Sequence, residues 1–71
     1  MIVNGEKMDI QPGTTVEELL QKLNFNDNRV VVEVDLAIVS KDEYSIKKLD
    51  TNSKVEIIQF VGGGWIWKRR E

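Results

Sequence analysis

The sequence contains no cysteine and no histidine. Their absence excludes disulfides, thiolate chemistry, zinc fingers and every catalytic scheme that runs through a thiol or an imidazole. Charge of neither sign dominates: Lys and Arg number 10 against 12 Asp and Glu, a net charge of −2, which gives no argument for a nucleic-acid partner. The acids are scattered, as in "FNDNR" and "KDEY", without the dense oxygen-ligand loop that would hold calcium or magnesium, so no metal site is expected. No apolar run approaches the roughly 18 residues of a membrane span. The chain is expected to be soluble and cytoplasmic, with no signal peptide and no membrane partner. Its 71 residues suffice for one small domain. A domain of this size buries only about 60% of the surface its unfolded chain exposes. This composition favours a carrier or a binder over an enzyme.

Short strands and one helix fill the chain. In "MIVNGEKMDI" the pair Asn4-Gly5 predicts a tight hairpin turn, because both residues tolerate positive φ. Met8 and Ile10 alternate with Lys7 and Asp9 and extend the second strand, until Pro12-Gly13 ends the ladder. In "TTVEELLQKLN" a threonine stands three residues before a glutamate, either Thr14 with Glu17 or Thr15 with Glu18, the pattern of a helix capping box. Val16, Leu19, Leu20 and Leu23 form one apolar stripe, and Asn24 can stop the helix in the left-handed conformation. The β-branched run Val30 to Val34 and the segment Ala37-Ile38-Val39 read as strands about Asp35-Leu36. Tyr44, Ile46 and Leu49 are expected to anchor the polar connection after them, and "KVEIIQFV" is a last strand. Hairpin, helix and further strands make an α+β domain of two layers. The passage from the second strand to the third through the helix favours a mixed sheet with a right-handed crossover.

The ordered set "IVNGE", "PGTTVEELL", "VVVEVDLAIVSKDEY" and "VEIIQFVGGG" resembles the sulfur carrier proteins of the thiamine pathway. The resemblance runs through Gly64 and implies the β-grasp fold of ubiquitin: a mixed sheet of about five strands with one main helix on one face. It divides the chain into a carrier domain over 1–64 and an extension over 65–71. It also implies a function without catalysis by the chain itself. An adenylating enzyme, using ATP and magnesium, activates a carboxylate at the C-terminal glycine. A sulfur donor such as a cysteine desulfurase then converts it to a thiocarboxylate, which supplies thiazole synthase. The carrier binds no cofactor of its own.

The tail is where the sequence departs from that pattern. Read alone, Gly62-Gly63-Gly64 is either a linker or a functional tail, and the resemblance selects the tail. Gly63-Gly64 match the family's terminal diglycine, but "WIWKRRE" comes next, so the Gly64 carbonyl is tied in an amide with Trp65. Three explanations stand open: an extension removed by a processing metalloprotease, an added segment, or a ubiquitin-like interaction module with no sulfur chemistry. A carrier serving amino-acid or molybdopterin synthesis fits the same residues. Trp65, Ile66 and Trp67 alternate as an edge strand would, pairing within this molecule or with a neighbour. In the last strand, alternation sends Val55 and Ile57 toward Leu19 and Leu23. It leaves Ile58 and Phe60 on the open face as a docking patch, unless Tyr44 covers them.

Overall fold

The computed structural model describes residues 1–61 and 64–67, with side chains described for 1–59. Strands β1 (Ile2–Val3) and β2 (Glu6–Lys7) flank the predicted turn. Asn4 and Gly5 both have positive φ, 51° and 80°, which bends the chain in the sense that suits strand twist. The second strand is shorter than its alternation suggests. It ends at Lys7, and Met8 and Ile10 pack on the core from irregular backbone.

Helix α1 (Val16–Lys22) begins at the capping box of Thr15 and Glu18: the Thr15 hydroxyl accepts from the Glu18 N–H at 3.1 Å, and the Glu18 carboxylate from the Thr15 N–H at 3.0 Å. Two further N–H groups of its first turn donate to a distant segment, Val16 to the Lys47 carbonyl at 3.0 Å and Glu17 to that of Tyr44 at 2.9 Å. The connection over 44–49 thus completes the helix start, which has no carbonyls of its own to use there. At the other end Asn24 takes the predicted left-handed conformation, with φ 63°. Seven residues make a helix that is marginal in isolation. Burial of Val16, Leu19 and Leu20 against the sheet holds it, and Leu23 packs at the margin of the same cluster.

Strands β3 (Val30–Val34), β4 (Ala37–Val39), β5 (Lys54–Val61) and β6 (Gly64–Trp67) complete a sheet in the order β2-β1-β5-β3-β4, with β6 paired to β5 off that path. The sheet is mixed, as expected. Its parallel neighbours, however, are β1 and β5, and β2 and β3 do not touch. The helix therefore does not link adjacent parallel strands. It lies across one face, over Val3, Val30, Val32, Val34, Val39, Val55 and Ile57. Tyr44 and Leu49 anchor the connection in this core, and the Tyr44 hydroxyl donates to the Val30 carbonyl at 3.4 Å. Burial, with the Asp27 carboxylate near, pushes the hydroxyl's pKa up from its ordinary value, so it stays neutral at physiological pH. Ile46 is no anchor: it is 68% exposed.

The β3–β4 turn carries local strain. Asp35 and Leu36 have φ of 53° and 72°, and a left-handed conformation is unfavourable for leucine. Asp35 offsets part of this cost by bonds to the start of β5: its N–H donates to the Lys54 carbonyl at 2.8 Å, and its carboxylate accepts from the Lys54 N–H at 3.0 Å. Leu36 has no such compensation and is 83% exposed. Leu36→Gly is expected to raise stability by about 0.5–1 kcal/mol in urea unfolding. A loss of stability would mean that the leucine side chain packs against something that offsets the strain.

Candidate functional site

The tail is positioned by one edge of β5. In a strand, the N–H and C=O of every second residue point the same way. On the β1 side, Ser53 and Val55 come first: their carbonyls accept from Ile2 at 3.0 Å and Asn4 at 2.8 Å. Strand β1 stops there. Ile57, next along the edge, is met by a side chain: the Asn4 carboxamide oxygen accepts from the Ile57 N–H at 2.6 Å, and its nitrogen donates to the Ile57 carbonyl at 3.4 Å. Beyond it, Gln59 and Val61 stand opposite Ile66 and Gly64 of β6, in antiparallel register. One edge is thus completed by three successive partners, namely a strand, an amide side chain and a second strand. A carboxamide has the donor and acceptor of a peptide group, which is what a gap of one residue pair requires.

The face of the sheet away from the helix collects a different set. Register places Glu33 opposite both Ile38 and Glu56, and Val31 opposite Ile58. Ile2 stands opposite Lys7 and Lys54 on the same face. Ile58 and Val31 are half-buried, and Ile38 is 70% exposed. Two carboxylates directly opposed repel each other. One oxygen of Glu56, Oε1, is also closed off from water with no hydrogen-bond partner. An apolar patch thus surrounds an acidic pair whose hydrogen bonding is incomplete.

Of the residues singled out from the sequence, Ile58 lies on this open face, next to the segment that leads to the glycines. Tyr44 does not cover it, being packed in the core on the helix side. Gly64 begins β6, and its backbone is opposite Val61. Gly62 and Gly63 lie outside the described residues, as does the side chain of Phe60. The pairing of residues 64–67 within the same molecule is one of the two arrangements that their alternation allows. Sequence reasoning missed two features. Asn4 looks like a turn residue and nothing more. The exposed pair Ile38 and Ile46 lines a cleft beside β4, although the sequence presents them as strand and anchor. Among the described residues no cluster of acids is placed to hold a metal ion, and no helix is long and apolar enough to cross a membrane.

The role of Asn4 can be measured. Asn4→Gly keeps a residue suited to positive φ but removes the carboxamide, leaving the Ile57 N–H and C=O without their partner. Stability is expected to fall by about 1–3 kcal/mol, and the Ile57 amide to exchange faster by NMR. Unchanged stability with unchanged exchange would show that the side chain does not complete the edge.

Comparison with known proteins supplies the family. The ThiS family profile matches residues 1–64. The chain is 32% identical over 63 residues to "Sulfur carrier protein ThiS" of Bacillus subtilis, covering 87% of this chain and 96% of that one. It is 38% identical over 64 residues to "Thiazole synthase" of Paramagnetospirillum magneticum, covering 90% of this chain. It spans only about a fifth of that relative's length, as it does for the thiazole synthase of Magnetococcus marinus. Its fold is that of a crystal structure of the thiamine biosynthesis protein ThiS from Geobacter metallireducens, with a TM-score of 0.73 and 27% identity over 89% of this chain and 96% of that one. A profile match that runs from Met1 through the third glycine, with a full-length relative and a solved fold in agreement, assigns the chain to the ThiS family.

Proposed function

We propose that the chain is a sulfur carrier for the thiazole of thiamine, acting through the carboxylate of Gly64 after the Gly64–Trp65 bond is cut. The observation that carries this reading is the extent of the family match, which stops at Gly64 and includes all three glycines. Both pathway and partner are supported by the thiazole synthase relatives, in which a stretch similar to this chain forms part of a longer protein of that name.

The chemistry needs little from the domain. A Gly64 carboxylate oxygen attacks the α-phosphorus of ATP on an adenylating enzyme, and pyrophosphate leaves. The terminal sulfur of a persulfide then attacks the acyl carbon, and AMP departs with the electron pair of the broken C–O bond. A thiol cleaves the resulting acyl disulfide, leaving the thiocarboxylate on Gly64 and a disulfide on the donor. Magnesium and ATP belong to the partner. The chain supplies reach, a backbone without side chains at 62–64, and a docking surface. That surface is the open sheet face around Ile58. Residues 65–71 are an extension that processing removes, and a metalloprotease cutting after the diglycine would do so.

Three proteins test this: the 71-residue chain, a version stopped at Gly64, and that version carrying Gly63→Val. Each is given ATP, magnesium and an adenylating enzyme of the thiamine pathway, with intact mass as the readout. Only the version stopped at Gly64 is expected to gain AMP at full rate, and a persulfide donor with thiol then exchanges one oxygen for sulfur. The valine variant is expected to fold but to react on the order of a hundredfold more slowly, because a branched side chain displaces the tail in its channel. Ile58→Glu in the stopped version is expected to weaken enzyme binding by about tenfold or more. Adenylation of the full chain at Glu71, with the stopped version inert, would overturn the assignment of Gly64.

A further inference from the structure

We propose that β6 is a reversible cover, a strand of the chain's own tail that occupies the β5 edge and withholds the Gly64–Trp65 bond from processing until it lifts. This rests on the reading above, that Gly64 becomes the C-terminus, and adds how access to it is controlled.

Three observations support the cover. Residues 64–67 lie antiparallel on 58–61, with Val61 opposite Gly64 and Phe60 opposite Trp65, so the Gly64–Trp65 bond lies inside the paired stretch, with Gly64 at a position that faces Val61 across the ladder. The edge they occupy is otherwise complete. Asn4 satisfies Ile57 and β1 satisfies Ser53 and Val55, so only Gln59 and Val61 remain for β6 to pair. The cover is also short. Four residue pairs in register, without a further strand outside them among the described residues, make a weak ladder that opens on its own.

A protease binds its substrate as an extended strand lifted free of its neighbours, and pairing with β5 holds the backbone groups of Gly64 and Ile66 in the sheet. The closed form therefore cannot be a substrate, and cleavage tracks the population of the open form. The same holds for any enzyme that must thread 62–64 through a narrow channel. Opening separates the four β5–β6 pairs, frees the backbone groups of Gln59 and Val61, and leaves the core face of β5, with Val55 and Ile57, in place. The carrier domain thus keeps its fold whether the cover is on, off or removed.

Hydrogen exchange by NMR on the full chain, compared with the chain stopped at Gly64, tests this. The amides of Gln59 and Val61 are expected to exchange about tenfold more slowly in the full chain. Equal rates would overturn the cover. A second arm uses Ile66→Pro, which removes the N–H facing Gln59 without altering Gly64 or Trp65. Chymotrypsin cleavage after Trp67 is read in each protein and in a free peptide of 58–71 with the same substitution. The parent is expected to be cut about tenfold more slowly than its peptide, and the proline variant at nearly its peptide's rate. A parent cut as fast as its peptide would overturn the cover even if Ile66→Pro failed to fold. If that happens while the chain stopped at Gly64 is adenylated, the carrier reading stands and the cover falls. A protected parent beside an inert Gly64-terminated chain keeps the cover and removes the carrier reading.

Discussion

The carbonyl of Ser53, just before strand β5, and the N–H and C=O of Val55, Ile57, Gln59 and Val61 within it turn toward one edge, and each must find a partner because the strand lies in the middle of the sheet. Strand β1 is two residues long and serves only the first two positions. The remaining three need other partners, and the way they find them shapes the end of the domain. Asn4, already fixed by the turn it opens, offers its carboxamide to Ile57. That places a polar side chain only 7% exposed at the point where the core ends and the tail begins. From there the edge passes to β6. The other edge of β5 is held along most of its length by β3, from Val34 opposite Val55 to Val30 opposite Gln59. The strand that leads to the glycines is therefore the most firmly held in the domain, and its last residues depend on the tail for one of their two sides.

A rigid strand that feeds a stretch of glycine suits a carrier. On the function proposed above, the domain is recognised as a body, while its end enters another protein's site without side chains to obstruct it. Separation of the two tasks is visible in the residues. The helix face is closed by valine and leucine packed in the core. The open face has Ile58 and Val31 beside two opposed glutamates, with Lys7 and Lys54 toward the other end. An apolar patch mixed with charge gives a partner both contact area and orientation. No nucleophile, acid or base is required of the domain, which accords with a chain that has neither cysteine nor histidine.

Much of this was legible in the residues, for reasons that differ from place to place. The Thr15–Glu18 box, the stripe from Val16 to Leu20 and the run Val30 to Val34 announce themselves because helix and strand periods are local. The parallel pairing of β1 with β5 joins residues more than 50 apart, as Asn4 to Ile57 does, and no local period encodes it. Ile46 misled because an isoleucine in a polar loop looks like an anchor, whereas Tyr44 and Leu49 already fill the space beneath the connection. Leu36 is the reverse case: its side chain argues against a left-handed turn, yet Asp35 and the register of β3 with β4 impose one. The second role of Asn4 left no trace in the sequence, because asparagine before glycine is explained fully by the turn. The strand in the tail was legible through the alternation of Trp65, Ile66 and Trp67.

The central claim is that the Gly64 carboxylate is the working group of this protein. Intact-mass measurement of the chain isolated from its native cells tests it most directly. The account predicts a species ending at Gly64, part of it with one oxygen of the terminal carboxylate replaced by sulfur. A chain that always retains the residues after Gly64, with no sulfur gained at any terminus, would contradict it.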